Sequence, residues 1–283
     1  MCSTSKAGKI LDGKDTLRQV KDKLNEAIFN GKVPKYLNQQ CREMMSAEES
    51  TLDLIGFKHG TDKASLIYDE DGLQLSHDYL RHYDFLFDRF RNDEIILLEF
   101  GCYRGESLRM WKEYFPKAEI YGVDVDETAA QYEEERIHII IGDATWVETF
   151  DVLKNLFDGR RPFIIIDDAS HAWGDQRITF EMFWFMLEPG GFYVIEDLEC
   201  GSMGAYSKEH PPRVQDSQPF FKYVQSMCSF LRWSPRRRDI ISRERDFHDL
   251  PLLAKRIQVT LDACYFVPGA IVMKKHPLNP PWE

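Results

Sequence analysis

Ile95-Ile-Leu-Leu-Glu-Phe-Gly-Cys-Tyr-Arg-Gly-Glu-Ser107 is the stretch on which the reading of the whole chain turns. Ile95 to Leu98, with Phe100 beyond Glu99, make a nearly continuous apolar run, the pattern of a strand buried on both faces in a parallel sheet. Gly101 and Gly105 then allow the backbone to turn sharply and come close to a ligand, and Ser107 to Tyr114 carry the apolar spacing of a helix. Strand, glycine turn and helix form the opening unit of a nucleotide-binding α/β domain, with the first N–H groups of the helix facing the turn.

The glycine spacing bears on which ligand is expected. A dinucleotide site asks for G-x-G-x-x-G so that pyrophosphate can rest on the helix N-terminus, whereas this loop reads Gly-x-x-x-Gly with Glu99 just ahead of it. A carboxylate at that place repels phosphate and attracts a cation, such as the amino group of an amino-acid moiety. In this the chain resembles the class I S-adenosylmethionine-dependent methyltransferases, whose first motif is an acid followed by a glycine-rich turn that holds the methionine end of the cofactor. The resemblance implies that Glu99, Gly101, Tyr103, Gly105 and Ser107 contact S-adenosylmethionine.

Outward from this unit the pattern alternates. Ala118 to Asp124 reads as a second strand, Glu127 to Glu135 as a charged helical piece, and Ile137 to Ile141 as a third strand ending in Gly142-Asp-Ala144. A helix over Val147 to Phe157, a strand over Pro162 to Ile166 ending in Asp167-Asp168, a helix from Gly174 to Leu187 and a strand over Phe192 to Ile195 ending in Glu196-Asp197 follow. Ile257 to Phe266 and Ala270 to Met273 flank Pro268-Gly269, a hairpin signal. The expected fold is therefore α/β: a Rossmann-like seven-stranded sheet of five parallel strands plus a C-terminal antiparallel hairpin, with helices on both faces. That strand pattern again matches the class I methyltransferases.

Ligands of such sheets bind beyond the carboxyl ends of the strands, and here acids stand at several of those ends. Asp124, closing the second strand, is placed to accept hydrogen bonds from both ribose hydroxyls, a role the methyltransferase resemblance also implies. Asp143, with Ala144 beside it, resembles the acid of that family that contacts the adenine. Tyr103 and Trp146 are candidates to flank the purine. Asp167 is counted among the cofactor contacts, and Thr61 and Lys63 in Gly60-Thr-Asp-Lys63 are expected to form a lid over the cofactor.

Asp168, Glu196 and Asp197 offer hard oxygen ligands of the kind Mg²⁺ or Ca²⁺ prefers, while zinc is disfavoured for want of cysteine and multiple histidine ligands. His171, three residues beyond Asp168, has a side chain suited to removing a proton from a hydroxyl. Asp-Asp-x-Ser-His, the Glu-Asp after the fifth strand and the upstream Gly-Thr-Asp-Lys make the chain similar to the metal-dependent O-methyltransferases that decorate the sugars of macrolide antibiotics, and to the related cephalosporin-hydroxylase group. This narrower resemblance, over about residues 52 to 199, implies Asp168, Glu196 and Asp197 as ligands of Mg²⁺ or another hard divalent cation. It implies His171, with Asp168, as the catalytic pair. Ala169 stands where a glycine is common in that family.

The resulting expectation is an O-methyltransferase that tailors a natural-product small molecule, glycosylated or polyketide-like, at a hydroxyl. A methyltransferase-like subunit of a cephalosporin-hydroxylase type system, an NAD-dependent oxidoreductase and a non-catalytic binding module are the alternatives. The chain has 283 residues, enough for one large α/β domain with an appendage. We expect a helical arm over 1–50 and a methyltransferase domain over 51–283, with 198–253 as an insertion of substrate or oligomer loops that includes a helix from Gln218 to Trp233. A net charge of −11 argues against nucleic acid as the main partner. No run approaches the length of a membrane span, so the protein is expected to be cytoplasmic and off the membrane; the resemblance to antibiotic-tailoring enzymes implies a homo-oligomer, with which the helical arm is compatible. Its six cysteines lack C-x-x-C spacing and read as free thiols.

Overall fold

A computed structural model describes residues 50–69, 72–200, 219–228, 231 and 252–278. The helical arm expected over 1–50 and much of the 198–253 insertion lie outside the described residues. The chain divides into two units, one drawing on 95–101, 121–131 and everything from 139 on, the other on the described residues up to 94 together with 102–120 and 132–138.

The run that opens the sequence reading forms β3 (Ile96–Phe100), every residue of which is buried. It belongs to a seven-stranded sheet with β4 (Glu119–Asp124), β5 (Ile137–Ile141), β6 (Ile164–Asp167), β7 (Phe192–Ile195), β8 (Leu261–Val267) and β9 (Ala270–Lys275), in the order β5-β4-β3-β6-β7-β9-β8. The strands β3, β6 and β7 run parallel, whereas β9 lies antiparallel to β7 and to β8. This is the Rossmann-like sheet with a closing hairpin that the sequence leads one to expect. Its core gathers Leu98, Phe100, Ile165, Tyr193, Ile195 and Ile271 from the strands against Leu153 and Phe157 of the helix α4 (Val147–Phe157) and Phe180, Phe183 and Trp184 of the helix α5 (Trp173–Phe183) and its end. Phe220 and Val224 of α6 (Phe220–Cys228) and Ala254 and Ile257 of α7 (Leu252–Thr260) complete it.

Two expectations change here. Ile257 to Thr260 end a helix rather than begin a strand: Ala254, Ile257 and Gln258 share one face at helical spacing, and that face is buried. Burial of this stripe outweighs the strand preference of Ile, Val and Thr. The charged piece after β4 is a short 3-10 turn over Glu127–Tyr132, beyond which Glu134 pairs with Ile137 in an antiparallel bridge and Arg136 adopts a left-handed φ of 63°. Cys102, Cys228 and Cys264 are free thiols as expected, whereas Cys200 is disulfide-bonded, against the expectation of free thiols throughout.

In the other unit, α1 (Thr51–His59) begins at Ser50, whose Oγ accepts from the N–H of Asp53, and stops at Gly60, left-handed at φ 77°. The antiparallel pair β1 (Leu66–Asp69) and β2 (Gly72–Leu75) and the helix α2 (Leu80–Phe87) follow. Ser76 Oγ donates to the Asp62 carbonyl, and the helix starts at Leu80, after Asp78 turns left-handed. A Cβ on Gly56 would lie 2.1 Å from Leu80 Cδ1, so any other residue there would require the Leu80 side chain to move aside. Tyr83, Trp111, Tyr114 and Phe115, the last three on or just beyond α3 (Glu106–Tyr114), stack into the core of this unit.

Candidate active site at the carboxyl edge of the sheet

Parallel pairing sets the site. Phe100 pairs with Asp167 and Asp167 with Ile195, so the next residues, Gly101, Asp168 and Glu196, stand in a row just past the ends of three adjacent strands. The row is close-packed. Gly101 has φ 81°, and a Cβ there would lie 2.1 Å from the carbonyl oxygen of Asp168, so the glycine is required by the approach of the β6 turn.

Beyond the row, Asp168, His171 and Asp197 each turn a ligand atom to the same point, all within 4.8 Å of one another. His171 Nδ1 lies 3.7 Å from Asp168 Oδ1, and its Nε2 lies 3.8 Å from Asp197 Oδ2. Each nitrogen of the ring thus faces one carboxylate. His171 and Asp197 are non-glycine residues in the left-handed region, at φ 55° and 52°, a strain that proteins tolerate mainly where a side chain must be aimed. Two carboxylates and an imidazole form a donor set suited to a divalent cation. Glu196, expected as a third carboxylate ligand, is buried next to Asp197 and lies outside this group.

The setting is acidic and dry. Asp167 is buried, and that burial, helped by the nearby charges of Asp168 and Asp175, pushes its pKa up to about 7 against the N–H of Ala169 that its Oδ1 accepts at 3.4 Å. Tyr193, also fully buried, has its phenol pushed up by burial and by Asp167. The loop between Asp168 and α5 is held by Ser170, whose Oγ donates to Asp175 Oδ2 at 2.9 Å and accepts from the N–H of Ala172 at 3.3 Å.

Of the other residues singled out in the sequence, Glu99 is fully buried in β3. Asp124 ends β4 half-buried, its Oδ1 accepting from the N–H of Asp126 at 3.0 Å. Asp143 takes part in a local turn, its Oδ1 accepting from the backbone and hydroxyl of Thr145 at 2.8 and 2.5 Å; Ala144 beside it is buried. Tyr103 and Trp146 are exposed. Gly105, at φ 69°, precedes α3, and Ser107 is buried in the first turn of that helix. Thr61 and Lys63 are buried in their own unit, where Asp53 fixes the segment by accepting from the N–H and Oγ of Ser65 at 2.7 and 2.6 Å. The sequence reading passed over Ser170, Trp173, Asp175 and Gln176, which touch this site from α5 and its approach. Only the serine lay inside a motif that drew attention.

No family model matches the chain. Among curated proteins it is 38% identical over 130 residues to the mycinamicin VI 2″-O-methyltransferase of Micromonospora griseorubida, covering 43% of this chain and 32% of that protein. It is 35% identical over 148 residues to the demethylmacrocin O-methyltransferase of Streptomyces fradiae, covering 50% and 36%, and 32% identical over 184 residues to the L-olivosyl-oleandolide 3-O-methyltransferase of Streptomyces antibioticus, covering 62% and 46%. The chain therefore spans less than half the length of these relatives. Among solved structures, the MycE methyltransferase of mycinamycin biosynthesis, in complex with Mg, SAH and mycinamycin VI, superposes with a TM-score of 0.60 at 22% identity, covering 91% of this chain and 65% of that one. A second MycE structure, with Mg and SAH, gives 0.62 at 23%, covering 93% and 62%. The chain thus has the Rossmann-like fold of the class I methyltransferases and is related in sequence to the macrolide-type sugar O-methyltransferases.

Proposed function

We propose that the protein is an S-adenosylmethionine-dependent O-methyltransferase that acts, with a divalent cation, on a sugar hydroxyl of a glycosylated natural product. The observation that carries this reading is the meeting of Asp168, His171 and Asp197 at the ends of β6 and β7, on a sheet shared with methyltransferases. Asp168 and Asp197 would hold Mg²⁺, which when bound supplies Lewis acidity to the acceptor hydroxyl. His171, left off the cation in this reading, takes the proton of that hydroxyl as the oxygen attacks the sulfonium methyl and S-adenosylhomocysteine leaves. At the neighbouring strand ends, Glu99, Asp124 and Asp143 bind the amino-acid, ribose and adenine parts of the methyl donor. The protein's main contribution is then to hold oxygen, methyl carbon and sulfur in line.

Incubating the full chain with S-adenosylmethionine, Mg²⁺ and a set of macrolides bearing 6-deoxysugars tests the proposal by mass spectrometry. We expect one added methyl on a sugar oxygen and loss of the reaction with EDTA, restored by Mg²⁺. Methylation indifferent to EDTA would remove the cation from the mechanism, and absence of S-adenosylhomocysteine binding by calorimetry would remove the donor.

A further inference from the structure

Asp197 faces Asp168 and His171 from a left-handed backbone, at φ 52°, a conformation that Asp reaches more readily than most L residues but that leaves the direction of its carboxylate to whatever holds the turn. Hydrogen bonds on both sides of it hold that turn. The carbonyl before it, of Glu196, accepts from Gln176 Nε2 at 3.0 Å, and the carbonyl after it, of Leu198, accepts from Trp173 Nε1 at 3.1 Å. Its own carbonyl accepts from the N–H of Cys200 at 3.0 Å, closing the turn. Both side-chain donors sit in the first turn of α5, three residues apart and so on one face of the helix.

We propose that Trp173 and Gln176 are positioning residues that clamp the Glu196–Leu198 turn from both sides, fixing the direction of the Asp197 carboxylate and thereby the affinity of the cation site. The inference rests on the metal-assisted reading given above. Gln176 is only 1% exposed, and its Oε1 finds no hydrogen-bond donor among the described residues. An amide in that place is costly unless its N–H is needed, since an apolar side chain of the same shape would fill the space without the orphaned oxygen. The same helix start also holds the other left-handed residue of the site, through Ser170 and Asp175 on either side of His171. A single turn of helix therefore sets both aimed side chains.

Groups that orient metal ligands from behind typically change affinity by about 10- to 100-fold when removed. The test titrates the full chain with Mn²⁺ and follows the electron paramagnetic resonance signal of the free ion, a readout that needs no turnover. Gln176→Met keeps the bulk of the side chain and Trp173→Phe keeps an aromatic ring, and each removes its donor. We expect each variant to bind Mn²⁺ roughly 10-fold more weakly than the parent, while S-adenosylhomocysteine affinity by calorimetry stays within about twofold. A role in folding alone would lower the melting temperature and leave the Mn²⁺ affinity of the folded protein unchanged; that result overturns the inference. If Gln176→Met does not fold, the Trp173→Phe titration decides by the same criterion. A parent protein that takes up no Mn²⁺ overturns the metal reading itself, whereas parent binding with unaltered variants overturns only the clamp.

Discussion

Carboxylates are put to opposite uses in the two units. In the unit built on α1 to α3, Glu113 lies among cations: Lys58 Nζ donates to both its oxygens at 3.0 and 2.9 Å, and His59 Nε2 is 2.7 Å from Oε2. The bond from His59, then that from Lys58, outweighs burial and holds the Glu113 carboxyl down at about 2. At the sheet edge, Asp167, Asp168 and Asp175 crowd together, and burial with mutual repulsion drives Asp167 the other way. A carboxylate satisfied by side-chain cations stabilises the fold. One gathered with other acids is held in a strained protonation balance by its neighbours and does not stabilise the fold in that way.

That contrast can be broken at its strongest point by His171→Ala, which should lower kcat for methyl transfer by roughly 10²- to 10⁴-fold while costing far less stability than a core substitution, since His171 lies outside the apolar core. A drop in stability equal to that of a core substitution would place His171 with the structural residues instead. Next in size, Gly101→Ala forces a Cβ against the Asp168 carbonyl at a positive φ and should cost about 3 kcal/mol in urea unfolding. A neutral result would show that the β6 turn can yield, and with it the aim of Asp168.

The remaining tests sharpen the structural side. Ser50 caps α1 by accepting from Asp53 and donates to Asp84 Oδ2 at 2.8 Å, so Ser50→Ala should cost about 1 kcal/mol. Glu113→Gln should cost somewhat less, no more than about 1 kcal/mol once solvent screening of this partly exposed group is allowed for. Because the folded-state pKa of Glu113 is depressed, its contribution is present in full above the unfolded value near 4.5 and is lost as pH falls towards about 2. The difference in stability between parent and variant, measured by urea unfolding, should therefore shrink between those limits. A gap that persists at pH 2 would mean that the cations do not set this carboxyl.

Much of the sheet could be read in advance because a strand buried on both faces leaves an unbroken apolar run, as Ile164 to Ile166 and Phe192 to Ile195 do. The α1 helix was not read, since Gly56 and Gly60 look like loop punctuation, and only the crossing with Leu80 explains the first of them. The helical end of α7 was hidden because Ile257 to Thr260 suit either a strand or a buried helix face. Within the site, the acids at the strand ends were legible as a class. The side chains that aim them were not: Gln176 and Trp173 meet their carbonyls across 20 and 25 residues of chain.

The order of strands and helices from β3 to β7, and the presence of an acid at the end of β4 and just beyond β6 and β7, were determined by the sequence alone, because strand and helix periodicities are local and chemical type is written in each residue. Which of those acids face one another was decided only by the tertiary structure. Parallel pairing laid β6 beside β7, and the left-handed turns at His171 and Asp197, held from α5, swung Asp197 rather than Glu196 towards Asp168. Alternation fixes the face on which a strand residue lies, but the direction of a side chain beyond the strand depends on a backbone angle that distant hydrogen bonds must hold.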